Sequence, residues 1–333
     1  MIRESAFEAT KLVTKIVNLA DEKLSYSDNV FNIAYGVDKN FLFGAGVSIT
    51  SILMHNKDIV LHFHVFTDFF DGEQKSLFSQ LAKKYNTKIT IYLLECEELK
   101  KLPTTPNWSY ATYFRLILVD YLSSIIDKVL YLDADIVCKG NITSLTKINF
   151  NNNQIAAVVA DSDRKKRNKS PDTHSLNENY FNAGLMLIST SQWFKSDVSN
   201  KAIELLSKKI LPYLDQDALN LILIDKTIFI DSKWNTFCKI DYGLRKKIQK
   251  INDSVVFIHY IGVTKPWHEW ATNYPSSKYF IDAKNASPWI GKPQVKANKS
   301  HLFKYKYKHT FYQKKYLTAI LAYLNYLWRR IFV

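Results

Sequence analysis

The sequence predicts an α/β fold: a mainly parallel, Rossmann-like sheet with helices on both faces and a basic helical extension at the C-terminus. Three observations carry that expectation. Apolar runs of strand length alternate with helix-length amphipathic stretches. Strands separated by helices form parallel sheets that bind ligands beyond the strands' carboxyl ends, and Asp38 and Asp133 both stand at such ends. A chain of 333 residues is long enough for one large core with a small appendage.

Residues 1–28 carry Phe7, Leu12, Ile16 and Leu19 at helical spacing, which predicts an amphipathic leader outside the sheet. Val30 to Tyr35 reads as the first strand, Gly36 to Asn40 as a turn-forming loop and Phe43 to Met54 as a helix. Ile59 to Phe66 alternates as a second strand, Asp71 caps a helix running to Tyr85, and Lys88 to Leu94 is a third strand. Ser109 is placed as the cap of a helix through Leu118. Strands are expected at 155–159, 183–188, 227–230 and 255–258, with helices near 201–209 and 216–223. Asp163 to Lys169 is a polar, basic loop whose composition suits a solvated surface.

The net charge of +14 is unevenly placed. After Asp282 there is no acid, while nine lysines from Lys284 to Lys315 join Arg329 and Arg330, so the basicity belongs to the C-terminus. Cys96, Cys138 and Cys238 are isolated and odd in number, which predicts buried thiols rather than a zinc or disulfide framework. Met1 to Asn18 is interrupted by Lys11 and Lys15 and has no small-residue cleavage site, so it does not read as a secretory signal. The expected compartment is a reducing cytoplasm.

Val129 to Val137 is an apolar run broken by Asp133 and Asp135. Alternate side chains of a strand point the same way, so the pair presents two carboxylates together where the strand opens into a loop. Hard oxygen ligands suit Mg²⁺ or Mn²⁺, which also bind phosphate oxygens. Asp-x-Asp is a short pattern, and a turn is its plainer reading. Two unpaired carboxylates after a buried strand are costly, however, unless something positive meets them. Taken singly, Tyr180 to Gly184 reads as a turn before a strand, Asp215-Gln216-Asp217 as a polar helix start, and His259 as a strand-end histidine, which is more often a hydrogen-bonded structural residue than a metal ligand.

Together and in order, Ala34 to Asn40, Tyr113 to Leu116, Leu130 to Asp135, Tyr180 to Gly184, Asp215 to Asp217, and His259 to Gly262 with Lys265-Pro266-Trp267 resemble glycosyltransferase family 8 over about residues 30–270. The continuation Trp267 to Trp270, Tyr274-Pro275 and Ser287-Pro288-Trp289 resembles the extension of that family's bacterial lipopolysaccharide core glucosyl- and galactosyltransferases. The resemblance implies a GT-A fold and a retaining, metal-dependent transfer of glucose or galactose from UDP-glucose or UDP-galactose to a lipid-linked lipopolysaccharide core acceptor. It implies Asp133, Asp135 and His259 as ligands of Mn²⁺ or Mg²⁺, with Ala134 between the acids beside the donor. It implies Gly36, Asp38 and Asn40 at the uracil and ribose, the glycine allowing close backbone approach, and Gly262 and Lys265 at the diphosphate. Arg115, Asp161, Asn182, Ala183, Asp215 and Gln216 are implied as the sugar pocket, with Asp161 and Asp215 suited to sugar hydroxyls. Gln216 would stand nearest the reacting carbon. A carboxamide is a poor nucleophile, so attack from the leaving group's own face is favoured over a covalent intermediate.

The chain accordingly divides into the leader (1–28), a catalytic domain (29–270) and an extension (271–333). From Lys299 onward lysines interleave with aromatics, and Tyr316 to Trp328 is apolar but shorter than the ~20 residues needed to span a bilayer. The expectation is a tail lying on an anionic membrane surface, at the cytoplasmic face of the bacterial inner membrane, with packing back on the domain as the alternative. Two other functional readings compete: a glycogenin-like self-glucosylating protein, and a non-enzymatic module binding nucleic acid or membrane through its basic aromatic stretch. The latter leaves Asp133, Asp135, His259 and Lys265 without a role, and no nucleic-acid partner is expected.

Overall fold

The computed structural model describes residues 8–19, 30–105, 108–163, 176, 179–240 and 250–332. The chain begins with a one-turn helix α1 (Ala9–Leu12), β1 (Val13–Leu19), β2 (Phe31–Val37), α2 (Leu42–His55), β3 (Leu61–Thr67), α3 (Gly72–Tyr85), β4 (Lys88–Leu94) and α4 (Phe114–Leu122). Next come β5 (Lys128–Leu132), β6 (Ile136–Cys138), α5 (Thr143–Thr146), β7 (Ala156–Ala160), β8 (Phe181–Ser189), α6 (Thr190–Lys195), α7 (Val198–Lys208), α8 (Leu214–Ile222) and β9 (Thr227–Phe229). The last elements are β10 (Thr236–Cys238), β11 (Phe257–Tyr260), α9 (Lys278–Asn285), α10 (Ser300–Tyr312) and α11 (Tyr316–Phe332).

Among the described residues, eight strands form one sheet in the order β1-β4-β3-β2-β5-β8-β7-β9, and a second sheet is ordered β10-β11-β6. β4, β3, β2 and β5 run parallel, as strands joined through helices should. Their two faces are both apolar. Ile33, Phe63, Ile91 and Leu132 face a core shared with Ile49 of α2 and Phe78 of α3. Ala34, Phe66, Tyr92 and Tyr131 face another, shared with Leu116 and Leu118 of α4. Asp71 caps α3 as expected, its Oδ1 accepting from the Gln74 N–H at 2.9 Å.

β8 runs antiparallel to both β5 and β7. Its first residues therefore lie beside the carboxyl end of β5: Leu132 pairs with Leu185, and the Asp133 N–H donates to the Gly184 carbonyl at 2.8 Å. The β7 register slips between Val158, opposite Met186, and Val159, opposite Asn182. Ala183 to Leu185 thus bulge out of that ladder next to the acid pair.

The leader differs from its expectation. Val13–Leu19 is an edge strand antiparallel to β4, from Val13 opposite Leu94 to Leu19 opposite Ile89. Leu12, Ile16 and Leu19 fit a helical period, but Val13, Thr14, Ile16 and Val17 are β-branched and stiff at χ1, and a neighbouring strand offered a ladder. Ser109 does not cap α4. Its hydroxyl donates to Asp38 Oδ2 at 3.0 Å, and α4 follows a 3₁₀ turn over Tyr110–Tyr113. Residues 1–7 and 20–28 of the expected leader, and 164–169 of the basic loop, lie outside the described residues.

The tail is a helical hairpin. α10 packs on the rest of the fold: Lys306 Nζ pairs with Glu269 Oε1 at 2.5 Å, and Gln313 Nε2, just past the helix, donates to the Trp270 carbonyl at 2.8 Å. α11 buries Ala319 and Ala322 and leaves Leu317, Ile320, Leu321, Leu324, Trp328 and Ile331 exposed. Among the described residues no helix is long and apolar enough to cross a membrane.

Candidate active site

Asp133 and Asp135 occupy the turn between β5 and β6, closed by the Ile136 N–H donating to the Asp133 carbonyl at 3.1 Å. β6 pairs with β11 so that Ile136 stands opposite His259, and the Tyr260 N–H donates to the Asp135 carbonyl at 3.0 Å. These ladders bring acids and imidazole to one point: a ligand atom from each of Asp133, Asp135 and His259 lies within 4.8 Å of the others. His259 Nε2 is 3.2 Å from Asp135 Oδ1 and 3.9 Å from Asp133 Oδ2. Asp135 Oδ1 is buried and makes no hydrogen bond. Two carboxylates and an imidazole converging on one part-buried spot fit a divalent cation with oxygen and nitrogen ligands.

Asp133 is held by its other oxygen. Oδ1 accepts from Tyr131 Oη at 2.8 Å and from Arg115 NH2 at 3.0 Å, so Oδ2 is the atom turned to His259. Asp135 Oδ2 is met by Lys265 Nζ at 2.5 Å, and that ammonium also donates to the Tyr260 carbonyl at 2.6 Å. Burial pushes the Asp135 carboxyl up, but Lys265 and His259 outweigh it and hold the group below the usual carboxylate range.

Arg115, buried in the first turn of α4, joins the cation site to the rest of the pocket. Its Nε lies 2.8 Å from Asp215 Oδ2, and NH1 donates to the Ala183 carbonyl at 2.5 Å. Thr112 Oγ1 donates to the other Asp215 oxygen. Burial raises the Asp215 carboxyl, against the pull of Arg115. Asp215 and Gln216 come from the first turn of α8, Asn182 and Ala183 from the start of β8, and Asp161 from the end of β7. Gln216 is the hub: Oε1 accepts from Asn182 Nδ2 at 2.9 Å and the Ala183 N–H at 3.2 Å, while Nε2 donates to Asp161 Oδ2 at 3.3 Å and Tyr180 Oη at 3.1 Å.

The remaining residues singled out in the sequence lie on adjoining elements. Asp38 and Asn40 follow β2, the parallel neighbour of β5, with Asp38 Oδ1 accepting from the Asn40 N–H at 2.9 Å. Ala134 is the buried residue between the acids, and Gly262 lies in the turn after β11. A Cβ on Gly36 would stand 2.7 Å from the Phe114 Cβ, so its missing side chain also serves the packing of β2 on α4.

Sequence reasoning missed two site residues. A Cβ on Gly184 would stand 2.5 Å from His259 Cε1 and 2.7 Å from Asp133 Oδ2, so only glycine lets β8 approach the acid pair. The signal was present, since Gly184 closes the Tyr180 to Gly184 motif. Asn235, between a 3₁₀ turn (Ser232–Trp234) and β10, touches His259 and Asn182, and nothing in its sequence surroundings marked it.

Residues 32–271 match the family described as glycosyl transferase family 8, and residues 274–330 match its C-terminal region. A lipopolysaccharide 1,3-galactosyltransferase of Salmonella typhimurium strain LT2 is 49% identical over 309 residues, 90% of this chain and 91% of that protein. The lipopolysaccharide glucosyltransferase WaaO of Escherichia coli strain K12 is 41% identical over 333 residues, 98% of each chain. Among solved structures, the galactosyltransferase LgtC in complex with donor and acceptor sugar analogues superposes with a TM-score of 0.66 at 22% identity, covering 79% of this chain and all of that one. That likeness is one of fold, and the fold is the GT-A fold that the motifs implied.

Proposed function

This chain belongs to glycosyl transferase family 8, and from that premise we propose that it moves glucose or galactose from a UDP-sugar to a hydroxyl of a lipopolysaccharide core, with retention of configuration. The observation that carries the reading is the convergence of Asp133, Asp135 and His259 on a spot where Asp135 Oδ1 is buried and unbonded. Its support from relatives is the identity of 41–49% to lipopolysaccharide galactosyl- and glucosyltransferases over nine-tenths or more of the chain. Those three residues would hold Mn²⁺ or Mg²⁺, which when bound supplies Lewis-acid charge to the departing diphosphate. Lys265, at the mouth of the same site, adds a fixed positive charge for the phosphates.

Asp38, Asn40 and Gly36 would hold the nucleoside at the end of β2, and Gly262 would face the diphosphate. Arg115, Asp161, Asn182, Ala183, Asp215 and Gln216 form the sugar side. Asp215 is locked by Arg115 and Thr112, and both ends of Gln216 are engaged, so neither is posed as a nucleophile. The acceptor hydroxyl therefore attacks from the face that UDP leaves. The C1–O bond to UDP breaks as the new glycosidic bond forms, and the acceptor proton passes to the leaving phosphate oxygen.

The acceptor is lipid-linked, and α11 is read as the part that meets the membrane. Its exposed stripe of Leu317, Ile320, Leu321, Leu324, Trp328 and Ile331 is bracketed by Lys314, Lys315 and Arg330, a pattern that suits an anionic bilayer surface. The test is transfer from UDP-glucose and UDP-galactose to truncated core acceptors, with and without Mn²⁺, beside thermal shift with UDP. Stabilisation by UDP only in the presence of the cation, and product only with a core acceptor, are expected. Stabilisation by an oligonucleotide alone, or sugar added to the protein itself in an intact mass, would overturn the assignment.

A further inference from the structure

We propose that Asn235 is a positioning residue for the cation site: it holds a proton of His259 on Nδ1 and so leaves Nε2 as the nitrogen that faces Asp133 and Asp135 and can take the cation. The inference rests on reading those three residues as the cation site.

Two backbone groups of irreversible polarity anchor the argument. The Ala183 N–H donates to Gln216 Oε1 at 3.2 Å, and the Gly184 N–H donates to Asn182 Oδ1 at 3.0 Å. A peptide N–H is only a donor, so each contact fixes which end of a side-chain amide is the oxygen. Gln216 Nε2 accordingly faces the acid Asp161, and Asn182 Nδ2 donates to Gln216 Oε1 at 2.9 Å. Asn182 Oδ1 then accepts from Asn235 Nδ2 at 2.9 Å. With its nitrogen committed there, Asn235 turns its oxygen to His259, 3.0 Å from Nδ1.

Two acceptors at that separation repel, so Nδ1 carries a hydrogen. The other ring nitrogen is the one 3.2 Å from Asp135 Oδ1. Asn182, Gln216, Asn235 and His259 are all buried, so solvent offers no easy replacement for any of these partners. Cation-binding histidines commonly have their second nitrogen held this way, which orients the ring and fixes the tautomer. Here the holder also ties the imidazole, through Asn182, to Gln216. The cation side and the sugar side of the pocket are one hydrogen-bonded unit, and Asn235 is its joint.

The test has two parts. In protein labelled with [¹⁵N]histidine, the His259 signals are assigned by their loss in His259→Gln, and Nδ1 should show one-bond coupling to a proton both free and with Mg²⁺ and UDP. An unprotonated Nδ1 in the unsubstituted protein overturns the proposal. Calorimetric titration with Mn²⁺ in the presence of UDP should show affinity ~10–100-fold weaker in Asn235→Leu, the usual cost of losing such a partner. Asn235→Asp keeps an acceptor for Nδ1–H but sets its second oxygen against Asn182 Oδ1. It should hold Mn²⁺ affinity within a few-fold while turnover falls. Equal loss of Mn²⁺ affinity in both variants, or none in Asn235→Leu, overturns the proposal. An unsubstituted protein that binds no Mn²⁺ fails the cation reading instead, and the nitrogen spectra still judge the proton on Nδ1.

Discussion

His309 of α10 and Thr264 of the loop after β11 are both buried and joined by a 2.9 Å hydrogen bond between Nε2 and Oγ1. The other ring nitrogen lies 2.7 Å from Tyr274 Oη. Lys265 is the next residue, and its N–H donates to His268 Nδ1 at 3.1 Å. The first helix of the basic tail therefore braces the loop that presents the Lys265 ammonium to Asp135.

Two truncations should consequently behave differently. Removing residues 299–333 takes α10 away from Thr264, and the KM for UDP-sugar should rise steeply even with a soluble acceptor. Removing 316–333 leaves α10 in place, and the same KM should stay near that of the full chain. His309→Ala, which deletes both bonds, should cost about 1–3 kcal/mol of stability in urea unfolding. Identical kinetics for the two truncations would mean that the brace has no bearing on the donor site.

How far this was legible in the sequence depends on what each feature needs. Lys88 to Leu94 was readable as a strand with the bounds found, because alternation is local. The reversed direction of β8 was not, since a strand's own residues do not state which way it runs, yet that reversal brings Gly184 to Asp133. The leader misled because Phe7, Leu12, Ile16 and Leu19 satisfied a helical period while the adjoining β-branched residues had β4 to pair with. Asp133, Asp135 and His259 were found through their motifs. Asn235 escaped because its role is defined by the orientation of Asn182 and Gln216, which exists only after folding.

Gly184→Ala should abolish Mn²⁺-dependent UDP binding with little change in secondary structure. The added methyl would meet His259 Cε1 at 2.5 Å and Asp133 Oδ2 at 2.7 Å, so one of the three ligands must move. Asp133→Asn, by contrast, keeps the shape and removes only charge. Calorimetry should find both variants silent, with circular dichroism unchanged. Full affinity in Gly184→Ala would show that β8 can retreat from the site.

Gln216→Ala should lower turnover severely while sparing Mn²⁺ binding more than Asp133→Asn does. The side chain touches Asp161, Tyr180 and Asn182 but no cation ligand directly. Single-turnover rates beside Mn²⁺ titrations separate the two effects. A glycosyl adduct trapped on a carboxylate of the unsubstituted protein would refute same-face attack.

Acid should destabilise the fold well above the carboxylate range. Burial, aided by Lys88, lowers His62 to about 3, and burial with Lys265, His309 and His301 lowers His268 to about 3. The unfolded values lie near 6.5, so between pH ~6.5 and 3 the unfolded chain takes up protons that the folded one refuses. Stability is thus complete above that window and falls within it by about 1.4 kcal/mol per pH unit for each such histidine. Urea unfolding at pH 7 and pH 5 measures the slope, and His62→Gln should flatten it by about one proton. An unchanged slope in that variant would mean His62 is protonated in the folded state.

The last expectation concerns α11. Leu317, Leu321 and Leu324 share its exposed face, while Ala319 and Ala322 point inward toward α10, so charge placed on the outer stripe disturbs little packing. Leu321→Glu with Leu324→Glu should release the protein from vesicles containing anionic lipid, because both apolar burial and the attraction of Lys314, Lys315 and Arg330 are opposed. Transfer to a soluble core fragment should be unchanged, since His309, Thr264 and the cation site lie on other elements. Transfer to a membrane-embedded acceptor should fall, as the local concentration that surface binding provides is lost. Moderate salt should weaken binding of the unsubstituted protein in part, leaving the share held by apolar area. Vesicle co-sedimentation beside the two transfer assays makes the comparison, and equal sedimentation of the doubly substituted protein would mean that α11 faces something other than lipid.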